Sequence, residues 1–361
     1  MSPSARPVHV HGAATCVGWG DARCSLTDLI FATVTDALRQ SAAHMDAVDS
    51  VVIAAHDLID GRSLSSMVTA PAAGSYLKDE MRVADDGLVA ASFAAARIEA
   101  GEARLSVVAA WGRASEGAPD SVSRAGFDPV FEKPLGMQEL DLSAVRLSAW
   151  LAKHGDPGDS RAAACAAREA RAALSQRALH GTSRRSALSY PLRQEEGPKW
   201  ADIVVAVILG EAPSPVRLAG VGHATDLPRP GERDLLGMPA LRRAAVQALS
   251  LSGLGIDAVD LFEIDGMTLV EEALALESLG LAAPGGGFEH YANATHVNRA
   301  GGSAAGWCYP AMGLMRLAEC FYQLTGSAGP SQLLTGPKRA MAIGSSPMGA
   351  QTHTAILLER T

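Results

Sequence analysis

The chain has 361 residues, 48% of them hydrophobic and 19% charged, with a formal net charge of −8. That length and apolar share suffice for a large buried core, and an acidic balance without any basic block argues against a nucleic-acid partner. The five cysteines are scattered and form no CxxC pair, the opening "MSPSARPVHVHG" has no apolar signal core, and no run of 18 apolar residues occurs, so a cytoplasmic α/β protein with reduced thiols, no zinc site and no membrane contact is expected.

Taken in chain order, residues 8–15, "VHVHGAAT", form a β-like run ahead of an amphipathic helix pattern, "SLTDLIFATVTDALRQS". "MDAVDSVVI" (45–53) follows, an acidic loop entering the short β-branched run that marks a buried parallel strand. "DDGLVAASFAAARIEAGEARLSVVAAWG" (85–112) then gives a helix and another strand. An Ala/Arg-rich helix and the strand "WADIVVAVILGE" interrupt the pattern before it starts again. "VRLAGVGHAT" (216–225), "MPALRRAAVQALSLSG", "IDAVDLFEI" (256–264), "PAMGLMRLAECFYQLTG" and "RAMAIGSSPMG" repeat the same order.

Three elements in register predict a duplicated chain with two βαβαβ halves, paired so that sheets sandwich helices. The expected division is an N-terminal half over 1–115, an inserted lobe over 116–201, a strand at 202–212 returning to the first half, and a C-terminal half over 213–361.

With these motifs the chain resembles the thiolase superfamily, in particular its sterol-carrier-protein-type and lipid-transfer-protein-like branch. "VDLFEIDGMTLVEEALALESLGL" (259–281), "VNRAGG" (297–302), "LAECFYQLTG" (317–326) and "DIVVAVILGEA" (202–212) carry the likeness. It implies a layered α-β-α-β-α fold with an inserted loop domain. The family's catalytic positions, by the same likeness, have changed. Its Cys-Ala-x-Gly pattern falls on Ala84-Asp85-Asp86-Gly87, its oxyanion His or Asn on Asp265, and its Gly-His-Pro on Gly306-Trp307-Cys308. Its last signature falls on "GSSPMG" (344–349), with serines where a cysteine often sits.

Among the remaining candidates, Asp265 closes a buried-looking strand. There it is either a proton-transfer group with a pKa raised by desolvation or a polar anchor for the next turn. Tyr309 could donate to a carbonyl beside Asp265, as a tyrosine does in the family's retro-aldolases; alternatively, Trp307 and Tyr309 fill space vacated by the His and the substrate. Asp85 and Asp86 read as an N-cap pair. His353 alternates with apolar neighbours, which suits a structural histidine better than a base, and His223 is weaker still. Cys308 would lie off the line of attack. Arg184 and Arg185, at the end of a basic helix expected over 161–185, could meet a coenzyme A phosphate or simply face solvent. Gly301, Gly302 and Trp307 are further candidates for contact with an acyl-CoA, the glycines because the backbone there must pass close to something. No Walker loop, dinucleotide fingerprint or G-x-S-x-G elbow is present.

The resemblance therefore implies one of three functions. The chain is a subunit without thiolase catalysis in an acyl-CoA-processing complex. Or it is an active carbon–carbon bond enzyme of aldolase or acyltransferase type using Asp265 and Tyr309. Or it binds acyl-CoA or a lipid without turnover. No bound cofactor is implied, only acyl-CoA as substrate. A homodimer, a heterodimer with a thiolase-like paralogue, and a small zinc-ribbon/OB-type partner are the implied associations.

Overall fold

The computed structural model describes residues 6–21, 23–62, 66–346 and 349–361. Positions 347–348 of the "GSSPMG" signature and the first five residues lie outside them.

The chain opens with β1 (Val8–Gly18) and α1 (Leu26–Gln40), whose N-cap Ser25 forms a capping box with Asp28. Next come β2 (Ser50–Ala54), a short α2 (Ser66–Thr69), β3 (Asp79–Val83), α3 (Gly87–Glu99) and β4 (Leu105–Arg113). The inserted lobe holds α4 (Pro119–Gly126), α5 (Glu139–His154) and α6 (Asp159–Leu174) before β5 (Asp202–Gly210). The second half runs β6 (Val216–Thr225), α7 (Pro239–Ser250), β7 (Leu261–Ile264), α8 (Leu269–Leu279) and α9 (Gly287–Asn293). It ends with α10 (Met312–Thr325), β8 (Arg339–Ser345) and β9 (Thr352–Arg360).

The nine strands among the described residues join one mixed sheet in the order β3-β2-β4-β5-β1-β6-β9-β8-β7. The two halves are therefore joined at the middle of one sheet, while α3 and α10 lie between them as the expected layering of sheets around helices requires. The seam is short, only Val8–Val10 of β1 against Val216–Leu218 of β6. Around it the order is pseudo-symmetric: in each half the strand after the first helix runs parallel to the strand that follows the central helix. β2 and β5 are buried along their whole length and carry one polar residue each, Ser50 and Asp202 at their starts, as strands covered on both sides require.

Three large apolar clusters separate the layers. α1 packs its Ile30, Val34 and Leu38 on the outer face of the first half, and α7 and α8 cover the outer face of the second. α3 and α10 lie between the halves, with Leu88, Ala91, Leu314 and Leu317 in one shared core. Six alanines and glycines in α3 permit this close approach; a Cβ on Gly87 would stand 2.6 Å from Leu314 Cβ.

The inserted lobe departs from expectation. The helix ends at Leu174, not at 185, and three of its arginines are buried, not solvated. Arg161 pairs with Glu196, Arg168 donates to Ser303 Oγ (2.9 Å), and Arg171 donates to the carbonyls of Tyr291, Ala294 and Val297. Arg168 and Arg171 thus tie the lobe to the second half, the latter by capping loop carbonyls, while Arg161 braces the lobe internally. Among the described residues no helix is long and apolar enough to cross a membrane.

Candidate functional site

The site lies where β7, the glycine-rich turn at 298–306 and the start of α10 meet the inserted lobe. Parallel pairing with β8 carries β7 to its end at Ile264, and Asp265 follows with its amide bonded to Ile343 O (2.9 Å). Asp265 is 6% exposed. Burial raises its pKa to about 7, with Glu271 and Glu272 adding to the rise, while Arg316 and the Trp307 indole oppose it. Arg316, itself fully buried, holds Glu263 at 3.8 Å.

Trp307 Nε1 donates to Asp265 Oδ1 at 3.1 Å. Its backbone is held on both sides: Trp307 N donates to Lys199 O (2.8 Å) and Ala201 N to Trp307 O (3.2 Å). The ring meets Trp200 edge-on, centroids 5.1 Å apart. Tyr309 is on the other side, its hydroxyl donating to Ala84 O (3.2 Å), and burial pushes that phenol far above its ordinary range.

Trp307 therefore stands between the two residues expected to work together. Tyr309, Trp307 and Ile59 border one hollow of about 20 Å³. Asp265, Trp307, Ser345 and Ser346 border another, also about 20 Å³. Each has room for roughly one water. Larger hollows, 440 and 290 Å³, lie on the outer faces beside α1 and α7, away from these groups.

Other candidates fall elsewhere. A Cβ on Gly301 (φ +95°) would stand 2.4 Å from Ala172 N of α6, and one on Gly302 (φ +56°) 2.1 Å from Glu272 Oε1. What these glycines admit is the inserted helix and a buried carboxylate; the space they face is protein. Arg184 pairs with Asp120 (2.6 Å) and Arg185 donates to Gln194 O, both in the irregular segment after α6. His353 is buried, shares a hydrogen bond with Ser345 Oγ (2.9 Å), and is pushed down to about 3 by burial, which keeps it neutral. His223 bonds Thr354 Oγ1. The Cys308 thiol, fully buried and pushed well up by burial, donates to Tyr309 O, so no activated nucleophile is present at that position. Among the described residues no group of three or more His, Cys, Asp or Glu side chains is placed to hold a metal ion.

One residue escaped the sequence. Glu139, at the first turn of α5, borders both hollows and accepts a bond from Gly349 N (2.6 Å). Burial and nearby Glu271 raise its pKa. Nothing in "MQELDLSAVRL" distinguishes it from a surface glutamate at a helix start; only the fold of the lobe over the turn brings it in.

Residues 222–359 match the thiolase C-terminal domain-like family. No curated protein matches the sequence. The fold is similar over 99% of this chain to a chain of the Ltp2-ChsH2(DUF35) aldolase, covering 98% of that chain, with a TM-score of 0.80 and 16% identity. Human mitochondrial 3-ketoacyl-CoA thiolase is similar over 99% of both chains (TM-score 0.72, 16% identity). Its complex with CoA is similar over 100% of both (TM-score 0.73, 17% identity).

Proposed function

We propose that this chain, thiolase-like in fold and matching the thiolase C-terminal domain-like family over residues 222–359, is a subunit without thiolase catalysis in an acyl-CoA-processing assembly. One observation carries the reading. The Trp307 ring, fixed by its own backbone bonds and by Trp200, divides the space between Asp265 and Tyr309 into two one-water hollows. An acyl thioester has no room there, and the position matching the family's nucleophilic cysteine is Ala84.

The outer edge of the sheet supports association. Among the described residues β3 is hydrogen-bonded on one side only, and Tyr76 and Leu77 just before it, like Met67 and Val68 of the preceding α2, are more than half exposed. An open strand edge flanked by apolar side chains suits pairing with another chain. A second thiolase-like chain is the partner we assign to it. A small zinc-ribbon/OB-type protein is a further candidate, supported by a similar aldolase whose name carries a second component, ChsH2(DUF35).

The test is calorimetric titration of the purified chain with acetyl-CoA and a longer acyl-CoA. No heat from the folded parent chain is the expected result; micromolar binding would overturn the reading. A second reading, an aldolase-type enzyme, is favoured by the carboxyl held near neutrality at Asp265 and by the aldolase among the similar structures. It requires Trp307 to leave the gap, so Trp307→Ala should then gain acyl-CoA binding and carbon–carbon bond cleavage that Asp265→Asn removes.

A further inference from the structure

The N-termini of α3 and α10, the two helices sandwiched between the halves, converge on one side chain. Asp86 is the N-cap of α3, and its Oδ1 accepts from Leu88 N at 2.9 Å. Its Oδ2 accepts from Gly313 N, in the first turn of α10, at 2.8 Å. The residue is 1% exposed. A cradle of glycines leaves room for the carboxylate and nothing else: a Cβ on Gly313 would lie 1.9 Å from Asp86 Oδ1, and one on Gly344 of β8 would lie 2.1 Å from it. The neighbouring backbone is stitched across the same gap, with Gly87 N donating to Pro310 O (2.9 Å) and Tyr309 Oη to Ala84 O.

Helix N-termini present unpaired amides and partial positive charge, and two of them meeting would form a strong cradle for an anion. Here the anion is internal. We propose that Asp86 is a built-in carboxylate that occupies the convergence of α3 and α10, closing it to any ligand anion and locking the two halves of the chain together. Both oxygens accept amide hydrogens, which a carboxylate does and a carboxamide cannot, because an Asn would turn an N–H toward one of the two helices. Burial and the Asp265 carboxyl push the Asp86 proton affinity up, and the two amide donors oppose them. Asp85 does not share the role; it accepts from Ser346 Oγ and from Asp86 N at the rim.

This deepens the filled-site reading of the previous section and rests on it for its functional meaning, but its test needs no coenzyme A ester. Asp86→Gly removes the carboxylate and leaves a space of its shape. Thermal unfolding of the variant should shift upward by several degrees in about 100 mM formate relative to chloride at equal ionic strength, because an anion that binds only the folded state stabilises it by mass action. The parent should not respond. Equal Tm values in formate and chloride for a folded Asp86→Gly variant would overturn the proposal.

If that variant folds in neither salt, Asp86→Asn decides. It keeps the heavy atoms and satisfies one helix only, so amide hydrogen exchange at either Leu88 or Gly313 should quicken at least about tenfold. Parent-like protection at both amides would overturn the lock. Failure of either arm leaves the acyl-CoA titration to judge the filled site separately.

Discussion

At the scale of single residues, the environment of Asp265 makes stability depend on pH in a defined direction. Its folded pKa of about 7 lies above the ordinary carboxyl value of 3.8, so the folded chain binds a proton that the unfolded chain has released between those limits. Its contribution is complete below about pH 4 and is lost as pH rises through about 7, by at most about 4 kcal/mol. Asp265→Asn keeps an acceptor for Trp307 and cannot ionise. Its Tm relative to the parent should therefore be higher at pH 8 than at pH 5, measured by calorimetry; a constant offset would show that Asp265 is ionised throughout. His353, held neutral at about 3 against an ordinary 6.5, acts in the opposite sense, losing stability as pH falls through its unfolded value. Trp307→Ala removes a ring packed on Trp200 and should cost about 3–5 kcal/mol in chemical unfolding.

At the scale of elements, the glycine-rich turn owes its form to α6. Arg168 is fully buried, donates to Ser303 Oγ and to the carbonyls of Glu195 and Gly197, and lies 3.7 Å from Glu272. Arg168→Met leaves Glu272 buried without its cation and should cost about 3–5 kcal/mol, while adding Glu272→Gln should recover part of the loss. Denaturant midpoints of the single and double variants measure that coupling. Gly301→Ala meets a backbone nitrogen of α6 at 2.4 Å and a left-handed φ together, and should cost about 3 kcal/mol. A near-neutral Gly301→Ala would mean that α6 stands off the turn in solution.

For the whole molecule, the single sheet and its short seam at β1 and β6 mean that the halves are held mainly by what lies between them, α3 and α10. The open β3 edge and the exposed Tyr76 and Leu77 beside it are where a second chain would add. Tyr76→Lys should leave the isolated chain's stability within about 0.5 kcal/mol, since the side chain is exposed. It should weaken association with a thiolase-like partner in sedimentation velocity. A wild-type sedimentation profile in the mixture would place the partner on another face.

The duplicated order of strands and helices was legible in the sequence because each element carries its own periodicity and each half repeats it. "SVVIA" and "LFEI" announce covered strands without reference to anything distant, and Asp86 before "GLVAAS" announces a cap. The reading of Ala84, Asp265 and Trp307 against thiolase-like motifs rested on equally local strings. Tertiary structure alone decided the rest, because those facts depend on pairs of residues far apart in the chain. Trp307 separates Asp265 from Tyr309 only because Lys199 and Ala201 of the inserted lobe fix its backbone. Glu139 reaches the site from another helix, Arg171 of α6 is buried against loop carbonyls 120 or more positions away, and Asp86 serves a second helix 227 residues on. Spacing in a sequence reports which way a side chain faces on its own element; what it meets there is set by how the elements pack.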